Sequence, residues 1–372
     1  DKFVRELKWD GKKLKKLLSE VEDKRDLNEI VKEVASVKEI LAKDEAEHFF
    51  EVEIIKPRRL GSDVLMNEIK IRDYISEICP VPMSPDFKFT DVIQQYFDKN
   101  GFECSEFKIY LNDGDGNQIF RPFKNTITYN DTRTGVYSDI EFINVESIDG
   151  SRASLGWVLH HDYQGAIPFS EKLRGLKARV GNIQIGGSRL FADIYPEERF
   201  NSWTTGEVHI LNANIIPNGR RDDFVQNSHF LNLKSNLLPV TDGIARRCRN
   251  ESRYRNRIKE IKFGKMKIEE SLEIIKTAAI SKSYSEVIQN QVLMKIAELK
   301  KVVQYELFSD KDQGNYVQDL LELEKRIADL THKSNIDKTK PIFNTSQQKI
   351  IDLIYQCSVS NTVADILVQR IK

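Results

Sequence analysis

The spacing of the apolar residues changes twice along this chain, and that change constrains the fold more than any other feature. Before His48 the apolar residues recur every three or four positions, which predicts helices. The residues with this spacing are Leu14, Leu17, Leu18, Val21, Ile30, Val31, Val34, Val37, Ile40 and Leu41. Alternating segments rich in β-branched and aromatic residues dominate from there to Asp242, and helical spacing then returns. The sequence therefore predicts an α+β fold with an N-terminal helical segment (1–47), a mixed middle domain (48–242) and a helical C-terminal region (243–372).

Within the middle domain the pattern predicts two helices, at Asn67–Ile78 and Asp91–Asp98, the first ended by Pro80 and Pro82. Strands are expected where apolar residues alternate with polar ones. These strands are Phe49–Ile55, Phe107–Leu111, Gln118–Phe120, Thr126–Tyr129, Ile140–Val145, Leu155–His160, Leu176–Ile185 and Glu207–Leu211. A helix is expected to begin near Phe224, and two later stripes predict packed helices. The stripes are Ile288, Val292, Ile296, Leu299, Val303 and Leu307, then Leu320, Leu323, Ile327 and Leu330, before a polar linker at Thr331–Pro341 and a final helix from about Gln347 to Ile371.

Composition excludes several classes of protein. The 57 basic and 57 acidic residues balance, so the whole chain has no basic character that would point to nucleic acid. Its four cysteines form no C-x-x-C pair, which disfavours a zinc module or a disulfide framework and favours reduced thiols in the cytoplasm. No apolar run approaches the roughly 18 residues that a membrane span requires. Since the sequence begins at Asp1, inside an amphipathic pattern, we expect a fragment of a longer protein.

Three motifs suggest ligand sites but fit them poorly. The segment from Gly181 to Ser188 resembles a phosphate-binding loop, yet Gly187 stands where that loop needs Lys, so a strand ending in a glycine turn is favoured. Asp113–Gly116 lacks the further ligands of a calcium loop, which favours a hairpin turn. His160 and His161 are adjacent strand residues that point to opposite faces, which favours an exposed strand end over a metal site.

A basic stretch runs from Arg246 to Lys267, with ten basic residues against two acidic ones. Such a stretch is able to bind phosphate backbones, although at helical spacing its charges wind around the whole helix. The residues that would contact nucleic acid or another partner are Arg246, Arg247, Arg249, Arg253, Arg255 and Arg257.

The strongest signal is the polar loop that precedes the helix expected near Phe224. It places Arg220 and Arg221 side by side, followed by Asp222 and Asp223, which are good capping residues. Guanidinium groups at the start of a helix are well suited to an anion such as a phosphate. The alternative is that the two arginines pair with Asp222, Asp223 or Glu207 and only brace the loop.

A series of motifs around this loop resembles the middle region of bacterial proteins related to the ninety-kilodalton heat-shock chaperones. These are ATPases of the GHKL superfamily, which also contains MutL and the type II topoisomerases. The resemblance covers roughly residues 48–250 and is specific between Gly175 and Asn227. The motifs are Gly156-Trp157, Gly165–Ile167, Leu173–Gly186, Arg199–Asn201, Gly206-Glu207 and Pro217–Asn227.

The resemblance implies a transducer-type middle domain, a mixed β-sheet backed by helices, whose catalytic loop supplies an arginine to the γ-phosphate of ATP. The family pattern Asn-x-Ser-Arg-Glu-x-x-Gln-Gln-Asn places its end residues on Asn218 and Asn227. Arg221 then stands at the position of the γ-phosphate arginine, Asp222 at its acidic neighbour and Gln226 at one of the two glutamines. Arg220 replaces the family's Ser and Val225 its other glutamine, so it remains open which of Arg220 and Arg221 contacts the phosphate.

The resemblance also implies that ATP and Mg²⁺ are held by a separate N-terminal domain, whose motifs this sequence lacks. We therefore expect this chain alone to be inactive and the full-length parent to hydrolyse ATP. The helices after Asp242 would form a coiled-coil or bundle region that serves dimerisation or binds client proteins. The alternative is a MutL-like or defence-type ATPase that engages nucleic acid through its basic helix at 246–267.

Overall fold

The computed structural model describes residues 3–19, 26–41, 49–56, 66–112, 118–277, 280–333, 344–359 and 361–369. The chain forms two compact units, Asp1–Asp63 and Val64–Lys372. The predicted α+β class is confirmed, with a mixed central sheet and a run of helices at the C-terminal end.

The first unit is built from two strands and two helices. In chain order these are β1 (Phe3–Trp9), α1 (Gly11–Ser19), α2 (Leu27–Val34) and β2 (Ala35–Leu41). The two strands pair antiparallel, with Phe3 opposite Leu41 and Trp9 opposite Ala35. The prediction of an entirely helical segment over 1–47 is therefore wrong at both ends.

The residue types explain this correction. In β1, apolar and charged residues alternate from Phe3 to Trp9, and aromatic side chains favour strands. In β2, the three-residue interval from Val37 to Ile40 imitates helical spacing, but β-branched side chains favour pairing with a neighbouring strand. Helix formation is confirmed for α1 and for α2, which begins with a capping box at Asp26.

The second unit contains the remaining elements. Its helices are α3 (Glu68–Ile78), α4 (Thr90–Lys99), α5 (Ser228–Thr277), α6 (Lys282–Val303), α7 (Asp310–Lys333), α8 (Thr345–Cys357) and α9 (Asn361–Gln369). Its strands are β3 (Ile109–Tyr110), β4 (Gln118–Ile119), β5 (Thr126–Asn130), β6 (Arg133–Val136), β7 (Asp139–Glu146), β8 (Arg152–His160), β9 (Gly175–Val180), β10 (Ile183–Ile185) and β11 (Thr205–Ile210).

Most of the predicted elements of this unit are confirmed, including α3 and α4, but the single final helix predicted from about Gln347 to Ile371 is divided into α8 and α9. The predicted strand at Phe49–Ile55 is wrong, because these residues form neither a helix nor a strand and no described strand pairs with them. The predicted turn at Asp113–Gly116 lies outside the described residues. The predicted linker begins within α7, and its residues 334–341 also lie outside them.

Five strands form the central sheet in the order β10–β9–β11–β8–β7. Strand β11 runs parallel to β9 and antiparallel to β8, so the sheet is mixed. One face packs against the first part of α5, where Val208 of β11 and Phe230 share a core. The opposite face packs against α4 through Trp157 and Phe97. Both faces of the sheet are therefore buried, so a functional site is expected at the ends of the strands or in the connecting loops.

Helix α5 has 50 residues and joins two cores. Its first part covers the sheet, and its second part packs with α6–α9 in a separate helical core. The predicted stripe on α6 is buried from Ile288 to Val303, whereas Leu307 is 37% exposed. The boundary predicted between residues 242 and 243 falls inside this one continuous helix.

Candidate functional site

The loop between β11 and α5, residues 216–227, is hereafter the arginine loop. Pro217 and Phe224 form an antiparallel bridge across it. The amide of Asn218 donates a hydrogen bond to the carbonyl oxygen of Asp223 at 2.8 Å. The arginine loop is therefore a short hairpin held by its own backbone, and its tip carries the two arginines.

Arg220 is paired within the arginine loop. Its Nε lies 2.8 Å from Oδ2 of Asp222, and its Nη2 contacts the same oxygen. The side-chain amide of Asn218 donates to Oδ1 of Asp222 at 2.7 Å. The hydrogen bond from Asn218 and the adjacent Arg220 guanidinium hold the pKa of Asp222 below its ordinary value. The pair contributes little to stability because it is largely exposed, but it engages the Arg220 guanidinium.

Arg221 differs from Arg220 in both backbone and side chain. Its φ of 56° lies in the left-handed region, which for a residue other than glycine costs on the order of 1 kcal/mol. Its amide donates to the Asn218 carbonyl at 3.0 Å and its carbonyl accepts from the Gly186 amide at 2.9 Å. Among the described residues its exposed guanidinium makes no ion pair or hydrogen bond. The tip thus presents one engaged and one unpaired guanidinium.

The β9–β10 hairpin supports the arginine loop. Gly186 follows β10 with a φ of 67°, and a Cβ atom there would lie 2.9 Å from the carbonyl oxygen of Asp222. At the other end of β10, Gly181 and Asn182 form the hairpin turn. The predicted strand ending in a glycine turn is confirmed for Ile183–Gly186, but the turn at Gly181 and Asn182 divides the predicted strand Leu176–Ile185 into β9 and β10. Only a glycine fits where β10 meets the arginine loop.

The end of the arginine loop corrects one prediction. Helix α5 begins at Ser228 and not near Phe224. Asn227 acts as the cap, since its Oδ1 accepts from the Phe230 amide at 2.9 Å. The predicted capping residues, Asp222 and Asp223, are engaged in the hairpin instead. The short bridge across the hairpin delays the helix by four residues.

Gln226 makes no described hydrogen bond to the unpaired guanidinium of Arg221. Its Nε2 donates to the Phe224 carbonyl at 3.1 Å, within the arginine loop itself. Its neighbour Val225 donates through its amide to the Ile216 carbonyl at 2.8 Å. Both Ile216 and Val225 are exposed, at 50% and 46%. An apolar rim therefore borders the arginine pair.

The histidine pair at the end of β8 is buried, so the prediction of an exposed strand end is wrong. His160 lies 2.8 Å from Glu141 and 2.6 Å from the Tyr163 hydroxyl. His161 lies 3.0 Å from the Tyr129 hydroxyl. Hydrogen bonds to Glu141, to two tyrosine hydroxyls and to the Trp203 carbonyl engage both rings. The described part of the chain holds no cluster of three or more metal-ligating side chains.

The basic stretch of α5 is divided between structural and unpaired arginines. Arg249 pairs with Glu197 at 2.8 Å, Arg255 donates to the Asp162 carbonyl at 3.1 Å, and Arg257 pairs with Glu260 at 2.9 Å. Arg246, Arg247 and Arg253 have no ion pair among the described residues. Three of the six arginines expected to contact a partner are therefore already engaged within the chain.

Four of these arginines nevertheless share one side of the helix. Arg246, Arg249, Arg253 and Arg257 are separated by three, four and four residues, which spans roughly 16 Å along α5. The row ends at an open pocket of about 420 Å³. The pocket is lined by Arg253, Asn256, Arg257, Glu260 and Tyr305. An aromatic ring thus stands at the end of a row of cations.

A buried ionic network, which sequence reasoning missed, lies on the α3 side of the sheet. Glu207 of β11 is fully buried between two arginines, with Arg121 Nη1 and Arg179 Nε each 2.5 Å from a carboxylate oxygen. Burial alone would raise the pKa of Glu207, but the two guanidinium groups hold it well below its ordinary value. Glu207, one of the partners considered for the loop arginines, is therefore engaged elsewhere.

The network also fastens α3 and the following segment to the sheet. Arg179 Nη2 donates to the Glu77 carbonyl at 2.9 Å, and Arg121 Nε donates to the Val81 carbonyl at 3.0 Å. A cavity of about 60 Å³ adjoins it, lined in part by Cys104 and Arg121. Burial raises the pKa of the Cys104 thiol to about 11. The network therefore holds α3 and the following segment against the sheet. The Cys104 thiol at its edge stays neutral, so it is not a nucleophile.

Comparisons with protein-family models, with curated proteins and with solved structures find no match. Among the described residues, no helix combines the length and the apolar character needed to cross a bilayer.

Proposed function

We propose that this chain is the middle and C-terminal part of a GHKL-type ATPase related to the ninety-kilodalton heat-shock chaperones, with a transducer-type middle domain. In this proposal Arg221 contacts the γ-phosphate of ATP, which is held with Mg²⁺ by a separate N-terminal domain. The observation that carries the proposal is the exposed, unpaired guanidinium of Arg221, next to an Arg220 that is engaged by Asp222.

The chemistry requires a guanidinium with free donors. As the γ-phosphoryl group is transferred to water, negative charge is redistributed over its oxygens, and a cation supplied by a second domain stabilises that charge. Arg221 has such donors, whereas Arg220 must first leave Asp222. This difference favours Arg221 as the catalytic residue, with Asn218 holding Asp222 in place and Gln226 bracing the loop.

The apolar rim of the arginine loop supports docking of another domain. Ile216 and Val225 lie side by side across the hairpin and are about half exposed. Burying the exposed half of each side chain contributes about 1 kcal/mol, which favours a closed arrangement. Closure would then bring the Arg221 guanidinium to the nucleotide and couple hydrolysis to a conformational change.

The test is ATP turnover by the full-length parent. Replacing Arg221 by Ala should lower kcat by on the order of 10³-fold, as removal of an arginine finger does, with KM changed much less. Arg220→Ala is the matched control and should retain most of the activity, since it removes an equal charge one residue away. Wild-type turnover in the Arg221→Ala parent would contradict the proposal, as would ATP hydrolysis by the 372-residue chain alone.

Client proteins, a homodimer and a cytoplasmic location complete this proposal, since they accompany the resemblance and suit the four free cysteines. The exposed apolar residues of the C-terminal helices offer surface for such partners, for example Met294 on α6 and Leu353 on α8.

A second candidate, nucleic-acid binding, is favoured by the row of Arg246, Arg249, Arg253 and Arg257 and by Tyr305 at its end. Cations in a row bind phosphates, and an aromatic ring stacks on an unpaired base. The test measures binding of single-stranded DNA and RNA at two salt concentrations. Joint replacement of Arg246 and Arg253 by Ala should weaken binding and flatten its salt dependence. The matched control replaces Lys259 and Lys262, which lie on the other side of α5.

A further inference from the structure

The two-stranded sheet of the first unit is amphipathic, and its apolar face is exposed. On this face β1 presents Phe3, Arg5, Leu7 and Trp9, and β2 presents Ala35, Val37, Glu39 and Leu41. Its five large apolar side chains are between 51% and 64% exposed. The opposite face is mixed, with Glu6, Lys8 and Lys38 beside Val4 and Ile40. We refer to the first set of eight residues as the apolar face.

This exposure is unusual for an isolated pair of strands. Two strands alone are marginally stable in water, and they need a second layer against a hydrophobic face. The buried core of the unit does not supply that layer to the apolar face. Among the described residues, it consists of Leu17, Ile30 and Val34 with Leu14 beside them, all of which belong to the helices. The apolar face therefore lacks a packing partner within the described part of its own unit.

The side chains of the apolar face are arranged so that the two strands are complementary. Strand β1 carries the larger side chains and β2 the smaller one in each opposed pair: Phe3 opposite Leu41, Leu7 opposite Val37 and Trp9 opposite Ala35. The central pair is Arg5 and Glu39, with Nε and Oε1 2.9 Å apart and both side chains more than half exposed. The face thus has one cation on β1 and one anion on β2, at the same level.

We infer that the apolar face binds a second copy of this chain, face to face, about a twofold axis that runs along the strands. Such an axis places β1 over β2 of the other copy at the same level. Each larger side chain then meets a smaller one, with Trp9 against Ala35 of the partner subunit. Arg5 meets Glu39 of the partner subunit, so the charges form two intersubunit pairs.

The charge pattern selects this axis over the other one in the plane of the interface. An axis perpendicular to the strands would place β1 over β1 in reversed order, so that Arg5 meets Arg5 or an apolar β1 residue of the partner subunit, and not Glu39 of the partner subunit. Like charges brought together at an interface oppose association by several kcal/mol. Two twisted two-stranded sheets in the selected arrangement form a small sandwich of the aligned kind.

The test uses sedimentation of the 372-residue chain over a range of concentrations. We expect a dimer, and we expect Arg5→Glu or Glu39→Arg alone to weaken dimerisation at least about tenfold, because each variant opposes like charges across the interface. Lys38→Glu is the matched control, since it reverses a neighbouring charge on the opposite face of the sheet and should leave the dimer unchanged.

Mixing the two single variants makes the test specific for the interface. The Arg5→Glu chain and the Glu39→Arg chain each lose the pair within their own sheet, so a gain on mixing arises only between chains. We expect the mixture to form a heterodimer of about wild-type affinity. A monomeric wild-type chain would overturn the inference, and so would a dimer that is insensitive to both substitutions. Circular dichroism of each variant verifies that the strands remain folded.

Discussion

The amide of Gly186 donates a 2.9 Å hydrogen bond to the carbonyl oxygen of Arg221. This bond joins the end of β10 to the one loop residue that combines left-handed backbone with an unpaired guanidinium. The position of Arg221 is thereby set by the central sheet and not only by the arginine loop. A catalytic group that acts across a domain interface needs such support, because a small misplacement lowers the rate strongly.

Gly186→Ala should disturb this joint. The added Cβ would lie 2.9 Å from the Asp222 carbonyl oxygen, on a backbone with φ of 67°. We expect a loss of about 1–3 kcal/mol in the free energy of unfolding, measured by urea denaturation. In the full-length ATPase of the proposed function, the rate of ATP hydrolysis should also fall, because the displaced arginine loop carries Arg221. Gly187→Ala is the control, since a Cβ at that position meets nothing within 4 Å.

Arg221→Gly separates stability from activity. Glycine adopts the left-handed region freely, so the folded state should be as stable as wild type or up to about 1 kcal/mol more stable. If the proposed function is correct, the same substitution should remove most of the ATP turnover of the full-length ATPase. Arg221→Val should instead destabilise the chain, because a β-branched residue is strained at this φ. Thermal unfolding of the three proteins checks this order, and a clear loss of stability in the glycine variant would contradict it.

Glu207→Gln should be among the most damaging single changes in the sheet. It leaves Arg121 and Arg179 buried together without their shared anion. Removing one partner of a buried ion pair costs on the order of 3–5 kcal/mol, which should appear as a lowered midpoint of urea unfolding. Glu106→Gln is the control, because Glu106 is 4.0 Å from Arg121 and partly exposed. Equal effects of the two substitutions would show that the carboxylate between the arginines has no special role.

His209 should make folding sensitive to acid. Burial lowers the pKa of His209 below its ordinary value of 6.5, although the neighbouring Glu207 opposes this shift. The unfolded chain then binds more protons than the folded one below pH 6.5, so stability is complete above that pH and falls as the pH is lowered. Urea unfolding from about pH 7.5 to pH 5 measures this slope.

Replacing His209 tests whether this residue causes the acid sensitivity. His209→Phe should reduce the slope, since a phenyl ring in contact with Phe97 and Phe102 has no proton to gain. The contribution of Glu207 has the same sign but appears at lower pH, because a carboxylate with a lowered pKa loses its stabilising charge only in stronger acid. An unchanged slope above pH 5 in the His209→Phe variant would exclude His209 as its source.

Sequence reasoning was most successful where a pattern extends over many residues. The stripe from Ile288 to Val303 predicts its buried face, and the alternation around Trp157 predicts a central strand. Short charged segments were less predictable. The apolar residues of β1 and β2 fit helical spacing as well as strand alternation, and the pairing of the two segments with each other makes them strands. The start of α5 was missed for a similar reason, since a bridge between Pro217 and Phe224 competes with an earlier helix.

Residues that meet from distant parts of the chain were not predictable. Glu207 and Arg121 are separated by 86 positions, and no local pattern marks either as buried. Charged residues are usually exposed, so composition favours the wrong expectation for both. The arginine loop, in contrast, was found from sequence because its two arginines are adjacent. Their different environments, however, depend on Asp222 and on the φ of Arg221, which only the fold supplies.

The length of α5 connects distant parts of the chain. The helix starts directly after Asn227, whose side chain caps it, and its 50 residues extend about 75 Å at 1.5 Å per residue. Pro239 lies inside the part that packs on the sheet and removes one backbone hydrogen bond of the helix. The arginine loop and the C-terminal core are therefore connected by one continuous helix, whose first part is held against the sheet and whose second part belongs to the helical core.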